Sequence, residues 1–261
     1  MEEKQQLYFL RQRMNELEHS LFLVELFNKI FGPPLSSLLS LVGIQVKNPQ
    51  HLFPDYIVMS IFVAGFLIFT LGLASRKLQL IPSKRQSLLE LIIETFESLL
   101  VDTIGEEGKK YLPMIATIGL FILSCNLLGL VPGFMSPTSK LNVTVGCALV
   151  VFVYYHWQGI KSQGFFKYLK QFAGPIPLLA PLLVPIEIIS HFSRPVSLSV
   201  RLFGNIFAEE LLILVIASII PFFLPLPFMV LSIFTAVIQA FVFVLLSCIY
   251  IAGAVAHEEE R

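Results

Sequence analysis

The stretch that decides the fold is residues 178–220, LLAPLLVPIEIISHFSRPVSLSVRLFGNIFAEELLILVIASII, a long apolar run that charged side chains interrupt. The hydrocarbon core of a bilayer requires about 20 helical residues. Some forty residues of α-helix extend about 60 Å, which is roughly twice that thickness. The stretch therefore predicts either a helix that breaks or one long, strongly tilted helix, and we favour the tilted helix.

The composition of the whole chain indicates the same environment. Of its 261 residues 56% are hydrophobic and 14% are charged, and the formal net charge is zero. Soluble domains carry about 25% charged residues, so this composition predicts an integral membrane protein. The neutral balance gives no reason to expect nucleic acid as a partner. The three cysteines lie in apolar runs without paired or metal-like spacing, so we expect buried packing residues, and we expect no metal or cofactor.

We predict an all-α integral membrane fold with five membrane-embedded helices and one interfacial amphipathic helix. The last two helices are long and strongly tilted, and the proline-rich turn at 221–227 joins them as a hairpin. The amphipathic helix covers about 83–104, where Ser87 and Glu90 form a capping-box pattern typical of a helix start. The third span ends in YYHW, an aromatic cluster typical of a membrane interface. The five spans, within a membrane domain of residues 54–256, are about 54–75, 112–131, 143–160, 178–220 and 222–256.

Two segments lie outside this membrane domain, the charged N-terminal residues 1–53 and a cytoplasmic tail, 257–261. Apolar side chains recur in the N-terminal segment at steps of three and four residues, which predicts an amphipathic helix. That helix either lies on the membrane surface or docks a partner subunit, and both interpretations remain open. Its apolar stripe consists of Leu7, Leu10, Met14, Leu17, Leu21 and Val24.

The positions of lysine and arginine predict the orientation of the chain. Six of these residues lie in the loop 76–110 and three in the loop 161–177, whereas the loop 132–142 has one. The positive-inside rule therefore places 76–110 and 161–177 in the cytoplasm. The N-terminus is then outside and the C-terminus is inside.

The long helix carries its polar side chains along one face. Their steps of 4, 3, 7, 4 and 4 residues keep them on one slowly drifting side of an α-helix. Charged side chains at membrane depth are rare and mostly functional, although His191 could be a satisfied interior histidine and Arg194 could extend to the cytoplasmic interface. Glu210 points off this face toward a neighbouring helix. The polar face consists of Glu187, His191, Arg194, Arg201, Asn205 and Glu209.

Two further polar residues lie within apolar spans. Gln239 is the strongly polar side chain in the middle of the last helix, and Asn126 lies in the second span. Each of them either bonds a neighbouring helix or lines a polar path, and both interpretations remain open.

Arg201 is the residue that a purely structural role explains least, because it lies near the middle of the long helix. An arginine at such depth costs roughly 2.5–3.5 kcal/mol on insertion scales, and its guanidinium cannot deprotonate to avoid that cost. A fixed positive charge repels a passing proton and attracts the carboxylate of a partner. With Glu187 and His191 on one side and Glu209 and Glu210 on the other, it would separate two hydrophilic half-pathways.

A self-sufficient secondary transporter or ion channel is the alternative function. Such a protein needs its own substrate cavity, usually with internal repeats and broken helices, and no repeat is visible between the two halves of this sequence. An intramembrane enzyme is disfavoured, because the chain has no nucleophile–base or metal-ligand motif.

Four motifs make the sequence similar to the a subunit of F-type ATP synthases. They are SRPVSLSVRLFGN at 193–205, NLLGLVPGF at 126–134, LNVTV at 141–145 and QAFVFVLLSCIYI at 239–251, and the resemblance covers roughly residues 54–256. It implies a bacterial inner-membrane protein that lies against a rotating c ring and assembles with the b-subunit peripheral stalk. It further implies two offset proton half-channels that couple proton flow to rotation and ATP synthesis, with no catalytic chemistry on this chain.

The resemblance also implies roles for individual residues. Arg201 matches the family's essential arginine, which meets the ring carboxylate and prevents ions from leaking between the half-channels. Glu187 matches an acidic position on the cytoplasmic side, where we also place His191. Many bacterial members carry a last-helix histidine at the position of Ser232, so Glu209 or water is expected to replace it in the outer relay. The positions matched to the outer half-channel are Asn205, Glu210, Gln239 and Asn126.

Overall fold

The computed structural model describes residues 22–41, 52–75, 84–131, 134–172, 180–219 and 223–255. Within these ranges the chain is almost entirely helical and contains no strand, which confirms the all-α fold. Short 3-10 helices, Glu106–Tyr111 and Pro137–Ser139, precede the fourth and fifth helices. The α-helices are α1 (Phe22–Leu41), α2 (Asp55–Ser75), α3 (Lys84–Ile104), α4 (Leu112–Leu128), α5 (Leu141–Gln163), α6 (Phe165–Gln171), α7 (Ala180–Ile219) and α8 (Pro225–Val255).

Among the described residues, five helical segments are long and apolar enough to cross a membrane, which confirms the integral membrane fold. The longest, α7, is continuous over 40 residues although Pro185 and Pro195 lie inside it. Of the two forms predicted for this stretch, the unbroken helix is therefore the one observed, and α8 packs against it. The tilt of both helices stays a prediction. The five segments are Asp55–Ala74, Glu106–Leu128, Leu141–Gln163, Ala180–Ile219 and Pro225–Val255.

The core lies where α4, α5, α7 and α8 pack together, and small residues let their backbones approach closely. Gly119 of α4 shows this most directly. A Cβ atom at this position would lie 2.7 Å from Val244 of α8 and 2.9 Å from the ring of Phe96 of α3. Three helices therefore meet at one glycine. All three cysteines are buried free thiols, which confirms their predicted packing role: Cys125, Cys147 and Cys248.

The amphipathic helix α3 begins at Lys84, close to the predicted position. The predicted capping box is wrong, because the residues before Ser87 are already helical and Ser87 lies inside the first turn. Beyond the end of α3, the Lys109 ammonium lies 3.3 Å from the carboxylate of Glu97. Both side chains are exposed, so this ion pair contributes little to stability.

The described part of the N-terminal segment is α1. Only Val24 of the predicted apolar stripe is among the described residues, and its side chain is buried. The rest of that stripe lies outside the described residues, so surface anchoring and partner docking both remain open. The buried side chain of Asn28 ties α1 to the start of α2: its Nδ2 donates to the carbonyl of Phe53 at 3.1 Å, and its Oδ1 accepts from the Phe53 N–H at 2.9 Å.

Candidate functional site

The polar residues of α7 fall into two groups with an arginine between them. At about 1.5 Å per residue, His191 and Glu210 lie about 28 Å apart along the helix, and Arg201 lies roughly halfway. The first group lies beside α5, α8 and Phe172 at the end of α6, and the second lies beside α8 and the connection between α4 and α5. We name them the α6 end, formed by Glu187, His191 and Arg194, and the Ser136 end, formed by Glu209 and Glu210 with Ser136.

Arg201 lies on a face of α7 that the described residues leave exposed. Its guanidinium Nη2 is 3.4 Å from the hydroxyl of Ser197, one turn earlier on the same helix, which is a weak hydrogen bond. No acidic side chain of the described ranges forms an ion pair with it. The neighbouring Val200 is exposed by 53%, so the charge lies on an apolar face. This arrangement suits a partner that brings a negative charge into lipid.

Asn205 follows Arg201 by one turn and is held from the side. Its Nδ2 donates to the Oε1 of Gln239 on α8 at 2.7 Å. Gln239 is buried, whereas Asn205 is exposed on the same side as the arginine. The buried amide of Gln239 therefore fixes the orientation of the exposed amide of Asn205. Gln239 thus bonds a neighbouring helix, and this contact is compatible with a place along a polar path.

At the Ser136 end, the carboxylate of Glu210 accepts a hydrogen bond from the backbone N–H of Ser136 at 3.0 Å. Glu210 faces the connection between α4 and α5, whereas we had predicted that it points to a neighbouring helix. Gly129 makes room for this contact. A Cβ atom at this glycine would lie 2.6 Å from Cβ of Ser136 and 3.2 Å from Oε1 of Glu210.

Hydroxyl groups continue from Ser136 into the core. The Ser136 hydroxyl is 2.7 Å from that of Thr138, and Thr138 donates to Oδ1 of Asn126 at 2.6 Å. Nδ2 of Asn126 then donates to the carbonyl of Ala236 on α8 at 3.4 Å. All three polar side chains are buried. A continuous chain of polar groups thus connects the Glu210 carboxylate with Asn126, and Asn126 also bonds a neighbouring helix.

Glu209 faces a different neighbour from Glu210. Its carboxylate interacts with the hydroxyls of Thr235 and Ser232 on α8. Ser232 is buried. Two consecutive carboxylates therefore lie against two different elements, because adjacent residues on a helix point about 100° apart.

At the α6 end, His191 touches a group on each side. Its Nε2 lies 3.3 Å from Oε1 of Glu187, and its Nδ1 lies 3.1 Å from the hydroxyl of Tyr155 on α5. Arg194 lies with its guanidinium 5.9 Å from the centre of the Tyr155 ring and 5.2 Å from that of Tyr250. Cation–π contacts thus hold this arginine among aromatic rings, which differs from a side chain that only extends to the surface.

Several residues of these ends were not singled out in the sequence. The YYHW cluster predicts only a membrane interface, although two of its side chains, Tyr155 and His156, lie beside the α6 end. The hydroxyl-rich SPTS at 136–139 was also passed over, and its density of hydroxyls between two spans was the signal available. Within the described ranges, no group of three His, Cys, Asp or Glu side chains could hold a metal ion. The residues near the two ends that the sequence analysis did not single out are Ser136, Thr138, Tyr155, His156 and Tyr168.

Comparison with known proteins gives a consistent result. A family model described as "ATP synthase A chain" matches residues 57–252. The chain is 49% identical over 214 residues to ATP synthase subunit a of Campylobacter jejuni strain 81-176, which covers 81% of this chain and 94% of that relative. It is 48% identical over 208 residues to ATP synthase subunit a of Helicobacter pylori strain Shi470, covering 76% of this chain and 92% of that relative.

Proposed function

We propose that this chain, which belongs to the ATP synthase A chain family and is a subunit of a bacterial F-type ATP synthase, provides two offset proton half-channels. The observation that carries the proposal is the order of charges along α7. Titratable groups lie at two ends, His191 and Glu210 are about 28 Å apart along the helix, and Arg201 lies roughly halfway between these two residues. A proton can be received at either end, but it cannot pass the fixed positive charge directly.

We further propose that Arg201 faces the ring of c subunits. A carboxylate of the ring that reaches this exposed cation is favoured in its ionised form, because a nearby positive charge lowers a carboxylate pKa. The ring site therefore releases its proton as it approaches the arginine and takes up a new one after it has passed. Rotation of the ring carries the neutral site through the lipid between the two half-channels.

The outer half-channel in this proposal contains Glu210 and the hydroxyl chain from Ser136 to Asn126. Asn205, which Gln239 holds in place at 2.7 Å, lies between this end and Arg201. Glu209 supplies a second carboxylate against Ser232, where many family members have a histidine. A carboxylate in that position can accept and release a proton, which a serine hydroxyl alone does not do near neutral pH.

The cytoplasmic half-channel in this proposal contains Glu187 and His191. This end lies beside α6, whose residues belong to the lysine-bearing segment 161–177, and the positive-inside rule assigns that segment to the cytoplasm. We therefore propose a location in the bacterial inner membrane with the N-terminus outside and the C-terminus in the cytoplasm. We also propose that the chain performs no catalytic chemistry and works with the c ring and the b-subunit peripheral stalk.

The test of the proposed function is ATP-driven proton pumping in inverted membrane vesicles, with assembly checked on a native gel. Arg201→Ala is expected to assemble and to lose coupled pumping completely. The matched control is Lys110→Ala, which removes a positive charge that pairs with Glu107 at 3.0 Å on an exposed surface. The control is expected to pump like the unmodified protein. Normal pumping by assembled Arg201→Ala would overturn the barrier role.

Co-purification tests the partners separately. The proposed function requires that the chain is isolated together with a c ring and b subunits. A self-sufficient transporter or channel would instead show transport when the chain is reconstituted alone in vesicles, and that result would favour the alternative function.

A further inference from the structure

The α6 end contains a second histidine that the proposed half-channel does not use. His156 on α5 and His191 on α7 lie with their ring centres 5.0 Å apart and their planes inclined by 35°. Each ring has its own tyrosine: Nδ1 of His156 lies 2.6 Å from the hydroxyl of Tyr168, and Nδ1 of His191 lies 3.1 Å from that of Tyr155. Two imidazole–tyrosine pairs therefore face each other at this end.

The position of Tyr168 depends on two glycines. Gly164 has φ +83 and turns the chain from α5 into α6, a conformation that other residues rarely adopt. Gly159 lies one turn after His156, and a Cβ atom there would be 2.5 Å from Cε2 of Tyr168. The tyrosine ring therefore packs directly on the backbone of α5, where it is buried and where its hydroxyl reaches His156.

The tyrosine hydroxyls let both rings exist in either charge state. Burial raises the pKa of Tyr168 to about 12, so its hydroxyl stays protonated and can donate to Nδ1 of a neutral His156. When the ring takes up a proton, Nδ1 becomes a donor and the same hydroxyl oxygen accepts. At His191, a neutral ring that carries its proton on Nδ1 donates to the hydroxyl oxygen of Tyr155, which leaves Nε2, 3.3 Å from Oε1 of Glu187, to accept a proton. Each Nδ1 thus has a hydroxyl partner whether its ring is neutral or charged.

The charges around the two rings limit how many protons they hold together. The groups that face them are Tyr155 from α5, Tyr168 from α6, Glu187 and Arg194 from α7, and Tyr250 from α8. Arg194 is a permanent cation and Glu187 supplies one negative charge. Two imidazolium rings at this separation, beside that arginine, would repel each other strongly. The two rings therefore hold at most one proton between them.

We propose that His156 and His191 form a one-proton station at the cytoplasmic end of the path, in which either ring holds the proton but not both. This inference rests on the proposed function. During synthesis a proton leaves the carboxyl of Glu187 and adds to a ring nitrogen, and the station later releases one proton to the cytoplasm. During ATP-driven pumping the same steps run in reverse, so the station collects protons from the cytoplasm.

The test uses His156→Gln, His191→Gln and the double variant in the complete complex. Glutamine can still bond a tyrosine hydroxyl but holds no proton near neutral pH. The initial rate of ATP-driven pumping is measured in inverted vesicles, whose cytoplasmic face is outside, at about pH 6 and about pH 8. We expect the double variant to lose about tenfold at the higher pH, where protons are scarce, and less than about twofold at the lower pH.

The single variants test whether the rings replace each other. Because either ring can hold the proton, each single variant is expected to lose about twofold at the higher pH, well short of the double variant. The packing control is Phe152→Leu, whose ring lies 4.4 Å from that of His156 and which holds no proton. Its rate is expected to change by the same factor at both pH values.

Three outcomes would overturn the station. The first is an equal loss of pumping rate at both pH values in the double variant. The second is a double variant that loses no more than His191→Gln alone. The third is a pH-dependent loss in Phe152→Leu. Arg201→Ala is measured in parallel to separate the two proposals. If Arg201→Ala shows no pumping while the losses in the histidine variants are independent of pH, only the station fails. If it pumps normally, the proposed function itself fails.

Discussion

The two ends of α7 hold their carboxylates in different surroundings. At the Ser136 end, Glu210 accepts from a backbone N–H, and the groups beyond it are hydroxyls and an amide. At the α6 end, Glu187 faces an imidazole, and aromatic rings surround that imidazole. Hydroxyls and amides can pass a proton along but do not keep one at neutral pH, whereas an imidazole can.

One helix can therefore line two kinds of polar path. α7 supplies a carboxylate at each end, but its neighbours decide what the carboxylate meets. A short connection rich in serine and threonine packs at one end, and an aromatic turn packs at the other. We therefore expect substitutions of the hydroxyls and the amide at the Ser136 end to act independently of pH, and substitutions of the histidines at the α6 end to depend on it.

The largest effect after loss of Arg201 is expected from Glu210→Gln. This change removes the titratable group whose Oε1 accepts from Ser136 at 3.0 Å, while it keeps the shape of the side chain. We expect ATP-driven pumping to fall about 100-fold, as for the loss of a proton-transferring group. Glu209→Gln is the matched comparison and is expected to fall only about tenfold. Equal losses in the two variants would break the distinction between the two carboxylates.

A smaller effect is expected from Gly129→Ala. The new Cβ atom would lie 2.6 Å from Cβ of Ser136, so the connection must shift and Glu210 loses its backbone donor. We expect pumping to fall about tenfold because the carboxylate is displaced. Gly146→Ala on α5 is the control, since a Cβ atom there meets nothing within 4 Å. Full activity in Gly129→Ala would show that this contact does not matter for transport.

Thr138→Val is expected to have a weaker effect that sharpens the contrast in pH dependence. It keeps the shape of the side chain and removes the hydroxyl that lies 2.6 Å from Asn126. The same hydroxyl lies 2.7 Å from that of Ser136, and the loss of these two buried hydrogen bonds corresponds to about fivefold in rate. We expect that factor to be the same at about pH 6 and about pH 8, unlike the factor in the double histidine variant. A loss confined to the higher pH would contradict the assignment of this end as a passive path.

The smallest effect is expected from Gly159→Ala at the α6 end, and the quantity that changes is the stability of the complex. The added methyl group displaces the Tyr168 ring, which lies 2.5 Å from it, and approaches the carbonyl of Ala254 at 3.0 Å. A ring can move more easily than a backbone, so we expect a loss of stability of about 1 kcal/mol. Thermal unfolding of the purified complex measures it, with Gly253→Ala as the control in open space. An unchanged Tm would mean that the ring moves without cost.

Much of the fold could be predicted from the sequence because it depends on local features. The length of each apolar run sets the number of spans, and the steps between polar residues place them on one face of α7. One local expectation needed correction, because the Ser87 capping pattern lies inside α3. In addition, α1 continues through Pro33 and Pro34, although prolines as sequence signals argue against a helix.

Part of the candidate site could also be predicted from the sequence, because it too depends on local features. Arg201 could be found from sequence alone, because the cost of an arginine within an apolar run is independent of what surrounds it. The partners of the polar residues could not be found in this way. Asn126 and Ala236 are 110 positions apart, and Ser136 and Glu210 are 74 apart. No helical period relates such distant positions.

The sequence by itself therefore determined that the chain lies in a membrane, how many helices cross it and which face of α7 is polar. Only the tertiary structure decided that Glu210 meets a backbone N–H, that Asn205 meets Gln239 and that His156 lies opposite His191. The physical reason is that helix formation and burial in lipid depend on neighbours within a few turns. Contacts between helices depend on how whole surfaces pack, and small residues such as Gly129 and Gly159 set those distances.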